Sequence, residues 1–493
     1  MKTVSFLPVM IVLLPLVATA IIYSIERYSW KMRNLLSVVA SLASFILVLS
    51  SYKQVISGVQ LVAEYHNFLP PFGLSFKIDY LSFLVAAVVS GVWFLVTVYS
   101  TEYMAKEHHK NRYYPFLVLT LAGALGVVLS SDLFTFFLFF ELMSFTTYVL
   151  VIHEETEAAM KAGYKYLILT ILGGLALFFA IIAVYELTGT VYFVPGGIIK
   201  QSSSLAFFAF IAFFMGFGIK AGVVPLHVWL PEAHPAAPSP ASALLSGVVL
   251  KTGAYGMIRV VFNIFGLELM RSTGWNNILI AFAVITIILG SAVAISQDDI
   301  KRRLAYSSIG QMGYIILGIG LLQEKALVGA IFHIFAHAIM KSSLFLCAGA
   351  IIYQTGKKKV SEWQGLGNTM FWTMAVFSIA AISMIGIPPL VGFVTKWEIS
   401  LGALEAGSWG IILVLLLSAL MNFIYYFPVI QRAFFGNGHQ KVELTKVKRE
   451  LTWLMLLPLL VLAGIMLFVD LLPKNFALDL AEKAASMLFS VVK

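Results

Sequence analysis

Apolar runs of about 20 residues, long enough to cross the hydrocarbon core of a bilayer, follow one another along almost the whole of this chain. At membrane depth a run of this kind can satisfy its backbone only by coiling into a helix that bonds to itself. We place the runs at about 3–23, 33–51, 77–100, 115–130, 133–152, 162–187, 205–226, 240–261, 277–296, 303–322, 326–353, 370–399, 410–433 and 452–472. The expected fold is an all-α polytopic membrane protein of about 14 transmembrane helices, a single membrane domain over 1–493 with no soluble domain.

The first run has a rival reading. Lys2, the apolar stretch and Ala18-Thr19-Ala20 have the format of a cleaved signal peptide. The run reaches Tyr23, however, and Arg27, Lys31 and Arg33 follow it, as in a retained first span. Beyond the last run, Phe476, Leu480, Ala484, Met487, Leu488 and Val491 recur at helical spacing. They fit either an amphipathic helix in the interface or a frayed tail.

Composition narrows the function classes. Of the 493 residues 60% are apolar and 12% charged, against about 25% charged in soluble proteins. Mean hydropathy is +0.92. These values exclude a disordered chain, a nucleic-acid binder and an ordinary cytosolic enzyme. The net charge of +9 has a membrane explanation, because the basic residues gather in alternate loops. One set holds Arg27, Lys31 and Arg33; Lys106, Lys110 and Arg112; Lys301, Arg302 and Arg303; Lys357, Lys358 and Lys359; and Arg432, Lys441, Lys446, Lys448 and Arg449. The other set holds little beyond Lys53, Lys200, Arg271 and Lys325. Basic loops stay in the cytoplasm, which puts both termini outside the cell membrane. The single cysteine, Cys347, cannot form a disulfide, an iron–sulfur cluster or a thiolate zinc site within one chain. No cofactor is expected here, and any electron transfer belongs to a partner.

Ionisable residues inside the runs carry the functional information. Each costs roughly 2.5–3.5 kcal/mol on insertion scales. Glu141 sits in FLFFELMSF, Lys220 in FMGFGIKAGVVPLH, Lys251 in LLSGVVLKTGAYG, Lys396 in IPPLVGFVTKWE, and His333, His337 and Lys341 in IFHIFAHAIMKSSLF. Asp79, near the start of the third run, reads as structural. The set is mostly basic, whereas a metal-cation site needs clustered oxygen ligands. Burial lowers the pKa of a lysine and a nearby carboxylate raises it, so a lysine held between those influences can load and release a proton near neutral pH. Each residue also has a bland reading: a static Glu141–Lys220 ion pair, snorkelling of Lys251 or Lys396 to an interface, or core histidines. His333, His337 and Lys341 step by four and share one helix face. No carboxylate or thiol completes a zinc site with the histidines.

Two runs are interrupted. Gly216, Gly218, Gly222 and Pro225 surround Lys220, and Gly386, Pro388, Pro389 and Gly392 precede Lys396. Unwound backbone at membrane depth is tolerated where it is buried or lines a wet cavity. Two broken spans, each with a lysine, suggest an inverted repeat with ion sites at the breaks. Between the seventh and eighth runs, HVWLPEAHPAAPSPASALLSG holds His227, Glu232 and His234 at the cytoplasmic mouth. They form either a path for proton uptake or part of a rigid loop.

The stretches WLPEAHPAAPSPASALLSGVVLKTGAYGMIR, DDIKRRLAYSSIGQMGY, FHIFAHAIMKSSLFLCAGA and GIPPLVGFVTKWE resemble the antiporter-like subunit family. That family takes in the A-type and D-type subunits of Mrp sodium/proton antiporters, the large proton-pumping membrane subunits of complex I, and relatives in membrane-bound hydrogenases. The resemblance covers about residues 75–435. It implies inverted five-helix repeats at 115–261 and 277–433, after N-terminal helices in 1–114 and before a last span and tail in 452–493. It also implies that Glu141 is the fifth-span glutamate and Lys220 its paired lysine. Lys251 would be the connecting lysine, Lys341 with His333 and His337 the central relay, and Lys396 the terminal residue. A lysine at 396 differs from the complex I subunit type that has glutamate there. The chain ends soon after the last run, without the lateral helix of the largest complex I pumping subunit or the extra spans of the A-type Mrp subunit. The D-type Mrp subunit and the hydrogenase-type relatives remain, and the PEAHPAAPSP loop is closer to the latter.

The resemblance thus implies a proton-translocating member of a multisubunit complex, driven either by sodium antiport or by a partner's redox reaction. Two competing readings are a solute symporter that uses the broken helices as its substrate site and a purely structural membrane subunit.

Overall fold

The computed structural model describes residues 2–69, 72–435, 450–469 and 476–490. Lys441, Lys446, Lys448 and Arg449, counted above for orientation, and Val491 of the tail lie outside the described residues.

The chain opens on β1 (Lys2–Val4), followed by α1 (Leu7–Ile25) and α2 (Trp30–Ser50). A short α3 (Tyr52–Ile56) leads into a hairpin of β2 (Gln60–Leu69) and β3 (Phe72–Ile78). β1 pairs parallel to β2 and β2 antiparallel to β3, with Leu61 opposite Ile78. This sheet is an addition to the expected helices, and the first helix starts at Leu7 rather than at residue 3. The strand signal is Phe72, Leu74, Phe76 and Ile78 alternating with Gly73, Ser75 and Lys77, a period of two that an apolar window of membrane length does not register.

Next come α4 (Tyr80–Tyr103), α5 (Lys110–Leu129), α6 (Leu133–Val151) and α7 (Glu157–Thr188). Side chains cap the starts of three of them: Asp79 accepts from Ser82 N, Asp132 from Phe134 N and Thr135 N, and Thr156 from Ala159 N. Each cap satisfies amides that have no partner within the helix. The seventh run is broken as expected, α8 (Ser204–Ala221) ending ahead of Pro225, but α9 (Leu230–Ala236) then forms in the segment where Pro231, Pro235, Pro238 and Pro240 argue against a regular helix; Pro231 sits in its first turn, where no intrahelical N–H bond is lost. The break falls on Gly222, whose φ of 72° lies in the left-handed region, a conformation that suits glycine.

The eighth span, Ser239–Thr273, is longer than the expected 240–261. It comprises α10 (Ser239–Leu244), α11 (Leu250–Arg259) and α12 (Gly266–Thr273), joined by π-turns at Leu245–Val249 and Val260–Phe265. Its last part escapes an apolar window because Asn263, Glu268 and Arg271 dilute it. Then follow α13 (Asn276–Ser296), α14 (Ile300–Gly320) and the long α15 (Glu324–Thr355). The twelfth run is broken at Gly386, φ 93°, between α16 (Phe371–Ile385) and α17 (Val391–Glu405). The chain closes with α18 (Trp409–Phe435), α19 (Trp453–Phe468) and α20 (Phe476–Phe489). The buried face of α20, including Leu480, Ala484 and Leu488, packs on α15 and α4 rather than on lipid.

Eleven helical segments among the described residues are long and apolar enough to cross a membrane. α14, the pair α16 and α17, and α19 provide the remaining passes, so the order of about 14 passes is the expected one. Most spans bury one face and leave the other to the membrane. Two are among the most enclosed: the Ser239–Thr273 span is 100% buried and α15 94% buried. They form the centre of the molecule, and Lys251, Arg259, His333, His337 and Lys341 lie buried on them.

Glycines set the closest crossings. A Cβ on Gly253 would stand 2.7 Å from Phe217 O, 2.8 Å from Ala221 N and 3.2 Å from Lys220 Cβ, so α11 and α8 touch through backbone beside Lys220. Gly253→Ala is expected to destabilise the fold by about 1–3 kcal/mol, the range for overpacking. Gly410→Ala, where nothing lies within 4 Å, serves as the neutral control. The thermal midpoints of the two variants in detergent check this.

Candidate functional site

The buried ionisable residues form a row across the two central spans and the broken helices. Lys220, Lys251, His333, His337 and Lys341 are each at most 2% exposed. None of the row's four lysines has a carboxylate at ion-pair distance among the described residues; each ammonium rests on neutral oxygens. Lys220, in the last turn of α8, donates to Tyr166 Oη at 3.0 Å and lies 5.3 Å from the centre of the Phe140 ring. The C-terminal end of a helix favours a cation there. Lys251 donates to Ser246 O, within the π-turn one turn before it; such turns free a carbonyl from the regular ladder and recur at functional sites. Lys341 donates to Leu304 O at 3.0 Å and to Tyr426 Oη at 3.1 Å. Lys396 donates to Met384 O at 3.1 Å and Ile385 O at 2.6 Å, the carbonyls at the end of α16.

The static Glu141–Lys220 ion pair is therefore absent. Glu141 stands on α6 against α7, where a Cβ on Gly174 would come within 2.7 Å of its Oε1. That oxygen is buried without a hydrogen-bond partner. Glu141 and Lys220 are within electrostatic reach of one another but not in contact. Lys396 does not snorkel either, since its ammonium turns inward onto the break.

The lysines are linked by hydroxyls. Ser246 Oγ and Ser308 Oγ stand 2.6 Å apart, and Ser308 Oγ donates to Leu304 O at 2.8 Å, the carbonyl that also receives Lys341. Ser246 thereby connects Lys251 to Lys341. On the other side of Lys341, Tyr426 Oη and Tyr425 Oη lie 2.9 and 2.8 Å from Ser307 Oγ. Tyr425 donates to Asn422 Oδ1 at 2.7 Å, and Asn422 Nδ2 donates at 3.2 Å to Met384 O, where Lys396 also binds. One connected set of polar groups thus runs from Lys251 to Lys396 through α11, α14, α15, α18 and α16. No hydrogen bond among the described residues joins Lys220 to Lys251; between them lies the Gly253 crossing.

His333 and His337 share a face of α15 with rings 5.4 Å apart and nearly parallel. All four ring nitrogens are buried without a protein partner, an arrangement that calls for water. His337 is within electrostatic reach of Lys251 and Lys341. His234 is not at a solvent-facing mouth: it is fully buried, stacks on Phe345 at 4.6 Å, and has both ring nitrogens unpartnered. His227 is half-buried, and Glu232 pairs with Lys165 of α7. A cavity of about 640 Å³ opens beside them, lined by Glu107, Glu154, Glu232, Pro235, Lys301 and Arg302. Burial, reinforced by Glu154, pushes the Glu107 carboxyl above its ordinary pKa.

Residue-by-residue reading of buried charge passed over Tyr166, Ser246, Ser307, Ser308, Asn422, Tyr425 and Tyr426, because none is ionisable near neutral pH. A signal was present: Ser307-Ser308 and Asn422 with Tyr425-Tyr426 interrupt apolar runs. Among the described residues no group of three or more His, Cys, Asp or Glu could hold a metal ion.

Residues 130–422 match the family described as NADH:quinone oxidoreductase/Mrp antiporter, TM, and residues 71–114 match complex I chain 5 N-terminus. The chain is 32% identical over 446 residues to the N-type subunit of NADH-quinone oxidoreductase from Desulforudis audaxviator, covering 87% of each. It is 30% identical over 481 residues to the D-type subunit of the Na(+)/H(+) antiporter from Alkalihalophilus pseudofirmus, covering 96% of this chain and 97% of that one. A chain of the membrane-bound sulfane sulfur reductase, an archaeal respiratory membrane complex, superimposes with a TM-score of 0.88 at 26% identity, covering 98% of each.

Tyr426→Phe keeps the ring but removes the oxygen that joins Lys341 to Ser307. We expect proton transport to fall about tenfold, less than the roughly hundredfold that loss of a proton-transfer group costs at the least, with assembly unchanged. Transport by reconstituted vesicles, with the yield of intact complex as control, measures it.

Proposed function

The chain belongs to the NADH:quinone oxidoreductase/Mrp antiporter family, and from that premise we propose that it moves protons across a cell membrane as one member of a multisubunit complex. The observation that carries the reading is the row of lysines inside the spans, each held by neutral oxygens, with Lys251, Lys341 and Lys396 joined through polar groups. An ammonium on a carbonyl or a hydroxyl is stabilised, but not locked as it would be against a carboxylate. Such a lysine can give up its proton when the local charge changes.

In this mechanism protons gather in the cavity beside Glu107 and Glu232 and pass His227 and His234 to Lys220 and Lys251. They move along Ser246 and Ser308, with His333 and His337 and the water they hold, to Lys341. The Tyr426–Ser307–Tyr425 hydroxyls and Asn422 continue the path to Lys396, which releases protons on the opposite face. Glu141 tunes Lys220 by charge. With the basic loops in the cytoplasm, release is outward and both termini face outside. The driving reaction is either sodium exchange or a redox step in a partner. Both are represented among the relatives: the sulfane sulfur reductase chain at 98% coverage and 26% identity, and the D-type Na(+)/H(+) antiporter subunit at 97% coverage and 30% identity.

Lys220→Ala and Lys341→Ala are expected to cut proton transport by about a hundredfold in an assembled complex whose other subunits keep their own activity. A merely structural subunit would instead lose assembly and leave the transport of surviving complexes unchanged. Uptake of an organic solute by the isolated chain would favour a symporter. Proton flux per intact complex in vesicles separates the three.

A further inference from the structure

At the end of the molecule that carries the hairpin lies a second polar feature, away from the lysine row. A cavity of about 260 Å³ is lined by Lys77 of β3, Asp79, Ser131, Arg259 and Asn263, with Lys2 and Glu64 also on its wall. Arg259 and Asp79 are almost wholly buried. Arg259 Nη2 donates to Asp79 Oδ1 at 2.8 Å and its Nε to Tyr255 Oη at 2.9 Å, while Lys77 Nζ lies 3.3 Å from Asp79 Oδ2.

Two things are left over. Arg259 Nη1, Ser131 Oγ, Asn263 Oδ1 and Asp79 Oδ2 are all buried without a hydrogen-bond partner, Asp79 Oδ2 having Lys77 Nζ at 3.3 Å as an ion-pair neighbour, and all four residues line this one cavity. Among the described charged side chains that line it, the basic Lys2, Lys77 and Arg259 outnumber the acidic Asp79 and Glu64. Asp132, the neighbour of Ser131 in the chain, already accepts from Ser75, Thr135 and the start of α6. A guanidinium N–H buried without an acceptor is costly, and an unbalanced buried charge more so. A small anion relieves both. The volume suffices for one with several waters, at about 30 Å³ for each water.

We propose that this cavity binds one small monovalent anionic group, held by Arg259 Nη1, Lys77 Nζ and Ser131 Oγ. Asn263 completes the site with its amide turned so that Nδ2 faces the anion, an orientation that hydrogen bonding decides. The site bears on the lysine row because Lys251, Tyr255 and Arg259 recur every four residues along one face of α11. Arg259 is about 12 Å from Lys251 by helix rise. An anion there offsets positive charge at the far end of the span that carries Lys251.

The test is the thermal midpoint of the purified full chain in uncharged detergent, in sodium bromide against sodium gluconate at equal ionic strength. Bromide is expected to raise the midpoint saturably, and Ser131→Ala to weaken half-saturation about tenfold, as for a lost bond to a charged group. Asn263→Asp supplies the missing charge covalently; its midpoint in gluconate should match the wild type in bromide, with no further bromide effect. A shift with added phosphatidylglycerol but not with bromide supports the site and assigns the anion to a lipid headgroup. Equal wild-type midpoints in bromide, gluconate and phosphatidylglycerol overturn the proposal, as does a bromide shift of the same size in Asn263→Asp. The readout is independent of proton transport, so its failure would leave the proposed function standing.

Discussion

An ammonium at membrane depth must find oxygen, and in this protein it finds neutral oxygen. That constraint organises the interior. Lys251 takes Ser246 O from a π-turn, and Lys396 takes the Met384 and Ile385 carbonyls beside the Gly386 break. Two of the helix irregularities, the first π-turn and the Gly386 break, are therefore not defects, because each exposes a carbonyl where a lysine needs one. A regular helix would have used those carbonyls in its own ladder and left the amines unsatisfied. Carboxylates in their place would have made deep ion pairs, strongly resistant to the loss of either proton or partner.

Burial and connectivity follow from the same arrangement. The two most enclosed spans carry the centre of the row, and the flanking broken spans carry its ends. Gly253 and Gly174 let helices approach closely enough that Lys220 and Glu141 sit where side chains would otherwise fill space. Glu141 then stands within electrostatic reach of Lys220 without touching it.

The hydroxyl groups give the row its continuity. Lys341 alone reaches Leu304 and Tyr426, and from these two points polar contacts extend to Lys251 in one direction and Lys396 in the other. His333 and His337 add four unpartnered ring nitrogens beside this junction. The position of His234, stacked on Phe345 inside the protein, extends the polar interior toward the face that holds the 640 Å³ cavity.

Hydrophobic run length and the repeated presence of ionisable residues in those runs determined the helical membrane architecture, the two breaks and the identity of the buried charges. These are local properties: a window of about 20 residues either can or cannot span a bilayer, and proline and glycine interrupt a helix wherever they stand. The hairpin alternates with period two and was invisible to that window, and the eighth span outran its apolar stretch because Asn263 and Glu268 dilute it. Which oxygen each lysine meets was decided only by the tertiary structure. So were the separation of Glu141 from Lys220, the serine and tyrosine links, and the convergence of Lys77, Asp79 and Arg259. The reason is that these partners lie far apart in the chain, as Lys341 and Tyr426 do. Only the packing of helices against one another selects, from many buried hydroxyls and carbonyls, the few that come within bonding distance.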